Sequence, residues 1–160
     1  MYDFDLTGMD IMGESERDLK AQFKDVLSEF GAGMNEPLAL DEEDDTVTFA
    51  VDDEYLIHLK YLSSSDMIVM FSPVGAFGGT RSRDAGERAL ALLRHCALGG
   101  LSEGFTLALD EEADLIVAMD KRTALEISSV DALSAWVDAL MRVVNAVRED
   151  FSEKFPAMEE

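Results

Sequence analysis

His58, His95 and Cys96 are the only nitrogen and sulfur ligand candidates in this chain apart from its methionines. His95 and Cys96 are neighbours, so on a helix they point about 100° apart and do not readily chelate one metal. Neither a C-x-x-C nor an H-E-x-x-H spacing occurs. A Cys/His nucleophile pair would need an exposed Cys96, whereas the end of an apolar helix predicts a packed small hydrophobe there. No serine sits in G-x-S-x-G. The acidic run Asp41 to Asp45 lacks the alternation and the distal Glu of an EF-hand loop and reads as a solvated turn. Ser72 to Thr80 is Gly-rich and precedes a helix, as a phosphate cradle would. It has neither nucleotide-binding fingerprint and no following lysine, so a mobile strand-to-helix loop is expected. Among 34 Asp and Glu residues no carboxylate pair singles itself out for acid–base work. The expectation is a non-enzyme with no catalytic, cofactor-binding or metal-binding residues.

Charge narrows the partners. Thirteen Lys and Arg against 34 Asp and Glu leave a net charge of −21, which repels phosphate backbones and anionic leaflets, so neither nucleic acid nor membrane is an expected partner. One cysteine cannot close an internal disulfide, and no apolar run approaches the ~20 residues a membrane span needs. Residues 1–13 carry Asp3, Asp5 and Asp10 without a basic residue, unlike a signal peptide. These features predict a cytoplasmic, acidic protein, and 160 residues with 48% hydrophobic content predict one domain. Nine methionines add adaptable apolar surface.

Periodicity supplies the elements. Leu19, Phe23, Val26, Leu27 and Phe30 share one helical face, with Ser15 and Asp18 as an N-terminal signal and Gly31 and Gly33 as stops. Thr46 to Asp52 and Glu54 to Leu62 alternate at period two around Asp52-Asp53, a hairpin signal. Met67 to Ser72 is a short, nearly continuous apolar strand. Phe105 to Asp110 and Asp114 to Asp120 form a second hairpin. Ser128 to Phe151 is an amphipathic helix with Leu133, Trp136, Val137, Leu140, Val144, Val147 and Phe151 in one stripe. The order is α-β-β-β-α-β-β-α: an α+β fold with a twisted antiparallel sheet packed by helices. Residues 1–13 and 152–160 are expected to be flexible, with one domain over 14–151.

The middle helix, Asp84 to Leu98, is unusual in that Ala89 to Leu93 is apolar nearly all the way round. Such a helix in so small a chain must be covered twice, once by its own sheet and once, most simply, by a second copy of the protein, the other reading being a central helix sandwiched within one monomer. The second strand is largely apolar on both faces and Met67 to Phe71 is apolar throughout, so some sheet surface is expected to remain open to an extended peptide.

The chain resembles the class I type III secretion chaperones, the Tir chaperone family, over about Glu14 to Asp150. The stretches that carry the resemblance are Leu19 to Phe30, Glu54 to Lys60, Ala89 to Arg94, Phe105 to Asp110 with Asp114 to Met119, and Asp131 to Leu140. The resemblance implies a cytoplasmic homodimer without enzymatic activity or cofactor. It would bind an extended N-terminal segment of a secreted effector and keep that effector soluble and export-competent. It also implies a two-fold interface at Leu90, Leu93, Phe105, Leu107 and Leu109, and a client surface at Leu19, Phe23, Val26, Phe30, Tyr55, Ile57, Leu59, Met67 and Met70. The 13-residue N-terminal extension and Arg94-His95-Cys96-Ala97 depart from the family pattern. Tyr2, Phe4, Leu6, Met9 and Ile11 could cover a client patch in cis. A YbjN-like binding module of the same architecture is the alternative, and a small hydrolase or metal-dependent enzyme a third.

Overall fold

The computed structural model describes residues 19–96 and 100–156, so the expected N-terminal extension, residues 1–13, lies outside the described residues. Helix α1 covers residues 19–33. Phe23, Val26 and Leu27 form its buried stripe, with Leu19 and Phe30 half-buried beside it. The helix runs past Gly31 and stops at Gly33, the second of the two expected stops, and Asn35 just beyond it takes the left-handed conformation with φ of 57°. Gly31 instead lies where a Cβ would overlap the Glu36 carbonyl and the Leu38 side chain, so its smallness lets the chain turn back tightly.

The five strands are β1 (Thr46–Val51), β2 (Tyr55–Leu62), β3 (Met67–Ala76), β4 (Thr106–Asp110) and β5 (Leu115–Thr123). They make one antiparallel sheet in the order β1-β2-β3-β5-β4. Asp52 and Asp53 both take positive φ, which the β1–β2 turn requires. Strand β3 runs four residues beyond the expected end at Ser72. Pro73 and Gly75 look like strand breakers, but a register shift between them lets pairing with β5 continue. Strand β5 is likewise longer than expected and ends at Thr123.

Helix α2 (Ala85–His95) lies between β3 and β4, and α3 (Val130–Lys154) closes the chain. Ser129 caps α3, its hydroxyl accepting from Ala132 N at 3.1 Å. The expected stripe of α3 is buried throughout, with Val143 added to it. Each fully buried side chain of this size contributes roughly 1.5–3 kcal/mol. Helix α3 reaches Lys154, so residues 152–154 of the expected C-terminal tail are helical. Phe155 beyond them packs on Phe151, ring centres 4.9 Å apart. Residues 157–160 lie outside the described residues.

Helices α1 and α3 cover the same side of the sheet. Ile57, Leu59, Ile68, Met70, Ile116 and Ala118 are buried with the α1 and α3 stripes in one core. Trp136 Nε1 of α3 donates to Asp120 Oδ2 of β5 at 2.9 Å.

Candidate partner-binding surfaces

The second side of the sheet has no helix on it among the described residues. On β3 every second side chain, Met67, Val69, Phe71 and Pro73, is half-buried, while the intervening ones are buried. Strand β5 repeats the pattern with Leu115, Val117 and Met119. The register lines these residues up. One row across the sheet is Thr48, His58, Phe71, Met119 and Thr106. The adjoining row toward the β2–β3 turn is Thr46, Lys60, Val69 and Lys121, and in the other direction Pro73, Val117 and Ala108 lie across three strands. Leu56 is 43% exposed beside them. This open face is mostly apolar and bordered by lysine.

His58 and Phe71 are its centre. Their rings stack at 4.7 Å with an interplanar angle of 17°. Thr48 Oγ1 lies 2.8 Å from His58 Nδ1. Partial burial lowers the imidazole below its ordinary value of 6.5, because nothing in its surroundings offsets the lost hydration of the cation.

Of the nine residues expected to receive a client, five cannot present a surface. Phe23, Val26, Ile57, Leu59 and Met70 are core residues of the chain itself, the last three with no exposed area. The reason is strand parity: β2 turns its odd-numbered residues to the helices and its even-numbered residues outward. Leu19 and Phe30 flank α1, Tyr55 lies under the Arg148 guanidinium at 5.6 Å, and Met67 belongs to the open face. These four do not converge on one patch. The open face presents instead Leu56, Val69, Phe71, Val117 and Met119, which the expected client surface did not include. The apolar character of both faces of β2 and of the whole of Met67 to Phe71 signalled Leu56, Val69 and Phe71 in the sequence, while Val117 and Met119 join them only through the pairing of β3 with β5.

A second apolar area lies on α2. Arg88, Ala91, Leu92 and His95 are buried, while Leu90 is 47% and Leu93 66% exposed. Leu109 is exposed and Leu107 half-buried on β4, but Phe105, expected at the same interface, belongs to the core. It lies in the turn before β4, where Phe105 N donates to Ser102 O at 2.8 Å.

The Gly-rich segment is held rather than loose. The carboxylate of Asp114 accepts from Gly78 N at 3.1 Å and from Gly79 N at 2.8 Å. Two backbone amides that resemble a phosphate cradle thus already hold an anion from the chain itself. From the other side Arg88 donates to Phe77 O at 3.2 Å and Gly78 O at 2.9 Å and pairs with Asp84 at 3.0 Å. His95 Nε2 lies 2.7 Å from Asp150 Oδ2, close enough for an ion pair but out of line for a hydrogen bond, and Lys154 reaches the same oxygen at 3.0 Å. Cys96 is exposed, not packed as expected, because α2 ends at His95 and leaves it beyond the buried face. Among the described residues no group of three His, Cys, Asp or Glu side chains could hold a metal ion. No helix among them is long and apolar enough to cross a membrane.

The model of the Tir chaperone protein family matches residues 25–148. Among solved structures, the chaperone–effector complex of HopA1 and SchA contains a chain with a TM-score of 0.62 and 19% identity, covering 80% of this chain and 94% of that one. The ExsC–ExsE complex gives a TM-score of 0.65 at 14% identity, covering 81% and 92%. The Yersinia pestis type III secretion chaperone SycH, in complex with a fragment of YscM2, gives 0.56 at 18% identity, covering 78% and 98%. These likenesses show the fold. No curated protein sequence matches significantly.

Proposed function

Because the chain belongs to the Tir chaperone protein family, we propose that it is a cytoplasmic type III secretion chaperone that binds, without catalysis, an extended segment of a secreted effector. The observation that carries this reading is the open sheet face around Phe71, Val117 and Met119, an apolar surface that the chain does not cover with a helix among its described residues. An extended client segment would bury alternate side chains there, gaining about 25 cal/mol per Å² before the cost of ordering the client. The structures of similar fold include complexes of a chaperone with an effector, which supports a protein client. The net charge of −21 keeps such a surface soluble.

The proposed chaperone is a homodimer. Leu90 and Leu93 on α2, with Leu107 and Leu109 on β4, supply the exposed apolar area that a two-fold contact would bury. Phe105 supports that contact from within the core.

A photoreactive residue at Phe71, introduced into the full chain in its own cells, tests the client reading. The expected product joins the chain to a secreted protein through that protein's N-terminal segment, and the same label at exposed Asp138 on α3 gives none. Equal labelling from both positions, or no protein product from Phe71, would overturn it.

A further inference from the structure

Beside the end of β3 the molecule holds a cavity that its own side chains do not fill. Strand β2 pairs with β3 only from His58 opposite Phe71 to Leu62 opposite Met67, whereas β3 continues with β5 as far as Ala76. Val74, at the register shift, has no partner residue in either neighbouring strand. Its carbonyl accepts from Arg148 Nε of α3 at 2.8 Å instead. Between this stretch and α3 lies a cavity of about 320 Å³, with Val74, Ile116 and Phe151 as apolar walls and Arg148 and Ser152 as its polar side. That volume falls within the roughly 300–1,000 Å³ of small-molecule sites.

Gly75 keeps the cavity open. Beyond the register shift Gly75 pairs with Ile116, a core residue, so a side chain at Gly75 would point to the helix side of the sheet. A Cβ added there meets no atom within 4 Å, and Gly75 is not among the glycines of positive φ. Neither crowding nor a left-handed backbone calls for glycine at this position. What glycine leaves there is space.

The guanidinium of Arg148 is fixed and only partly engaged. Its Nε is held by Val74 O, and its plane lies over Tyr55, 5.6 Å from the ring centre. One terminal nitrogen is 3.6 Å from Glu54, too far for a hydrogen bond. Among the described residues the terminal N–H groups have no hydrogen-bond acceptor, although Asp and Glu outnumber Lys and Arg by 34 to 13 in the chain. The carboxylates nearby in the fold are directed elsewhere: Asp114 holds Gly78 N and Gly79 N, and Asp150 faces His95 and Lys154. Glu149 and Glu153 of α3 are exposed and do not line the cavity.

We propose that this cavity binds a small organic acid, whose apolar body lies against Val74, Ile116 and Phe151 and whose carboxylate accepts from the terminal N–H groups of Arg148. The Ser152 hydroxyl is a further donor. Hydrogen bonds from a guanidinium to a carboxylate are shorter and stronger than neutral ones. Glu54, mostly exposed, is held only by a solvent-screened attraction that the ligand replaces. The net charge of −21 opposes an approaching anion, but ionic screening over about 8 Å leaves the decision to contacts inside the cavity. The site lies on the helix side of the sheet, opposite the open face, and does not depend on the proposed function.

Calorimetric titration of the full chain with 3-phenylpropanoate, and with 3-phenylpropanamide as its neutral counterpart, tests the site. The acid should bind once per chain, and the amide about tenfold more weakly, having no charge to set against Arg148. Gly75→Leu, which fills the cavity, should lose binding of the acid while keeping the circular dichroism spectrum of the wild type. Arg148→Gln should lower the affinity for the acid to that for the amide. Absence of binding at millimolar acid, or equal affinities of acid and amide for the wild type, would overturn the proposal whether or not either variant folds. Undiminished binding of the acid to folded Gly75→Leu would overturn it as well, because the ligand would then lie elsewhere.

Discussion

The guanidinium of Arg88 occupies the space into which a side chain on Gly78 would project, so the two residues are one joint between β3 and α2. Gly78 has φ +99°, and Arg88 donates to its carbonyl and to that of Phe77. Asp114, in the turn before β5, holds the amides of the same segment. The joint sets the position from which α2 presents Leu90 and Leu93.

Replacement of Gly78 by alanine should therefore destabilise the fold in two ways. The positive φ costs on the order of 1–3 kcal/mol for a residue with a Cβ, and Arg88 must leave its two carbonyls. A urea unfolding curve should show a clearly lower midpoint for Gly78→Ala, whereas Gly79→Ala, also at positive φ but with open space around it, should lose less. Equal losses would mean that Arg88 contributes nothing to the joint.

Aspartate substitutions separate core from surface. Phe23→Asp places a carboxylate at a position 1% exposed in the core, which is expected to abolish cooperative thermal unfolding. Phe71→Asp should melt within a few degrees of the wild type, since the ring is half-buried on the open face, yet fail to retain the client. A Phe71→Asp protein that still captures the client would show that the open face is not where the client is held.

These two phenylalanines also show what the sequence made legible. Element order, the antiparallel sheet and the buried stripe of α3 follow from periodicity, because a helix or strand with one apolar side has only one way to bury it. Strand parity on β2 is less firmly marked, since the even-numbered side carries Leu56 and Leu62 as well as His58 and Lys60, opposite Tyr55, Ile57, Leu59 and Tyr61. Only the register with β3 and the position of α1 decide it. The extension of β3 past Pro73 and the carboxylate of Asp114 on Gly78 and Gly79 depend on pairing with β5, across about 40 residues of chain, so local composition could show neither.

The exposed leucines of α2 predict how the proposed dimer behaves. Leu93→Glu adds a charge at a position 66% exposed in the single chain, so the fold should survive while association is lost. Sedimentation velocity should show a dimer for the wild type at tens of micromolar and a monomer for the variant. A monomeric wild type would remove the dimer from the proposed function.

His58 gives the open face a dependence on pH whose sign is fixed. Its pKa in the folded protein lies below the 6.5 of the free side chain, because partial burial penalises the imidazolium. Between those two values the unfolded chain binds more protons than the folded one, so stability rises with pH through this window and His58 adds no slope above 6.5. Protonation would also set a cation against Phe71 in the middle of the apolar face and remove the lone pair that can accept from the Thr48 hydroxyl. Client capture should weaken over the same window, as an apolar partner would then cover a charge. Unfolding midpoints measured at intervals from pH 5 to pH 8 should rise toward neutrality in the wild type, and His58→Gln should flatten the part of that rise due to this group. An identical pH profile in the two proteins would show that the imidazole titrates no differently when the chain is folded.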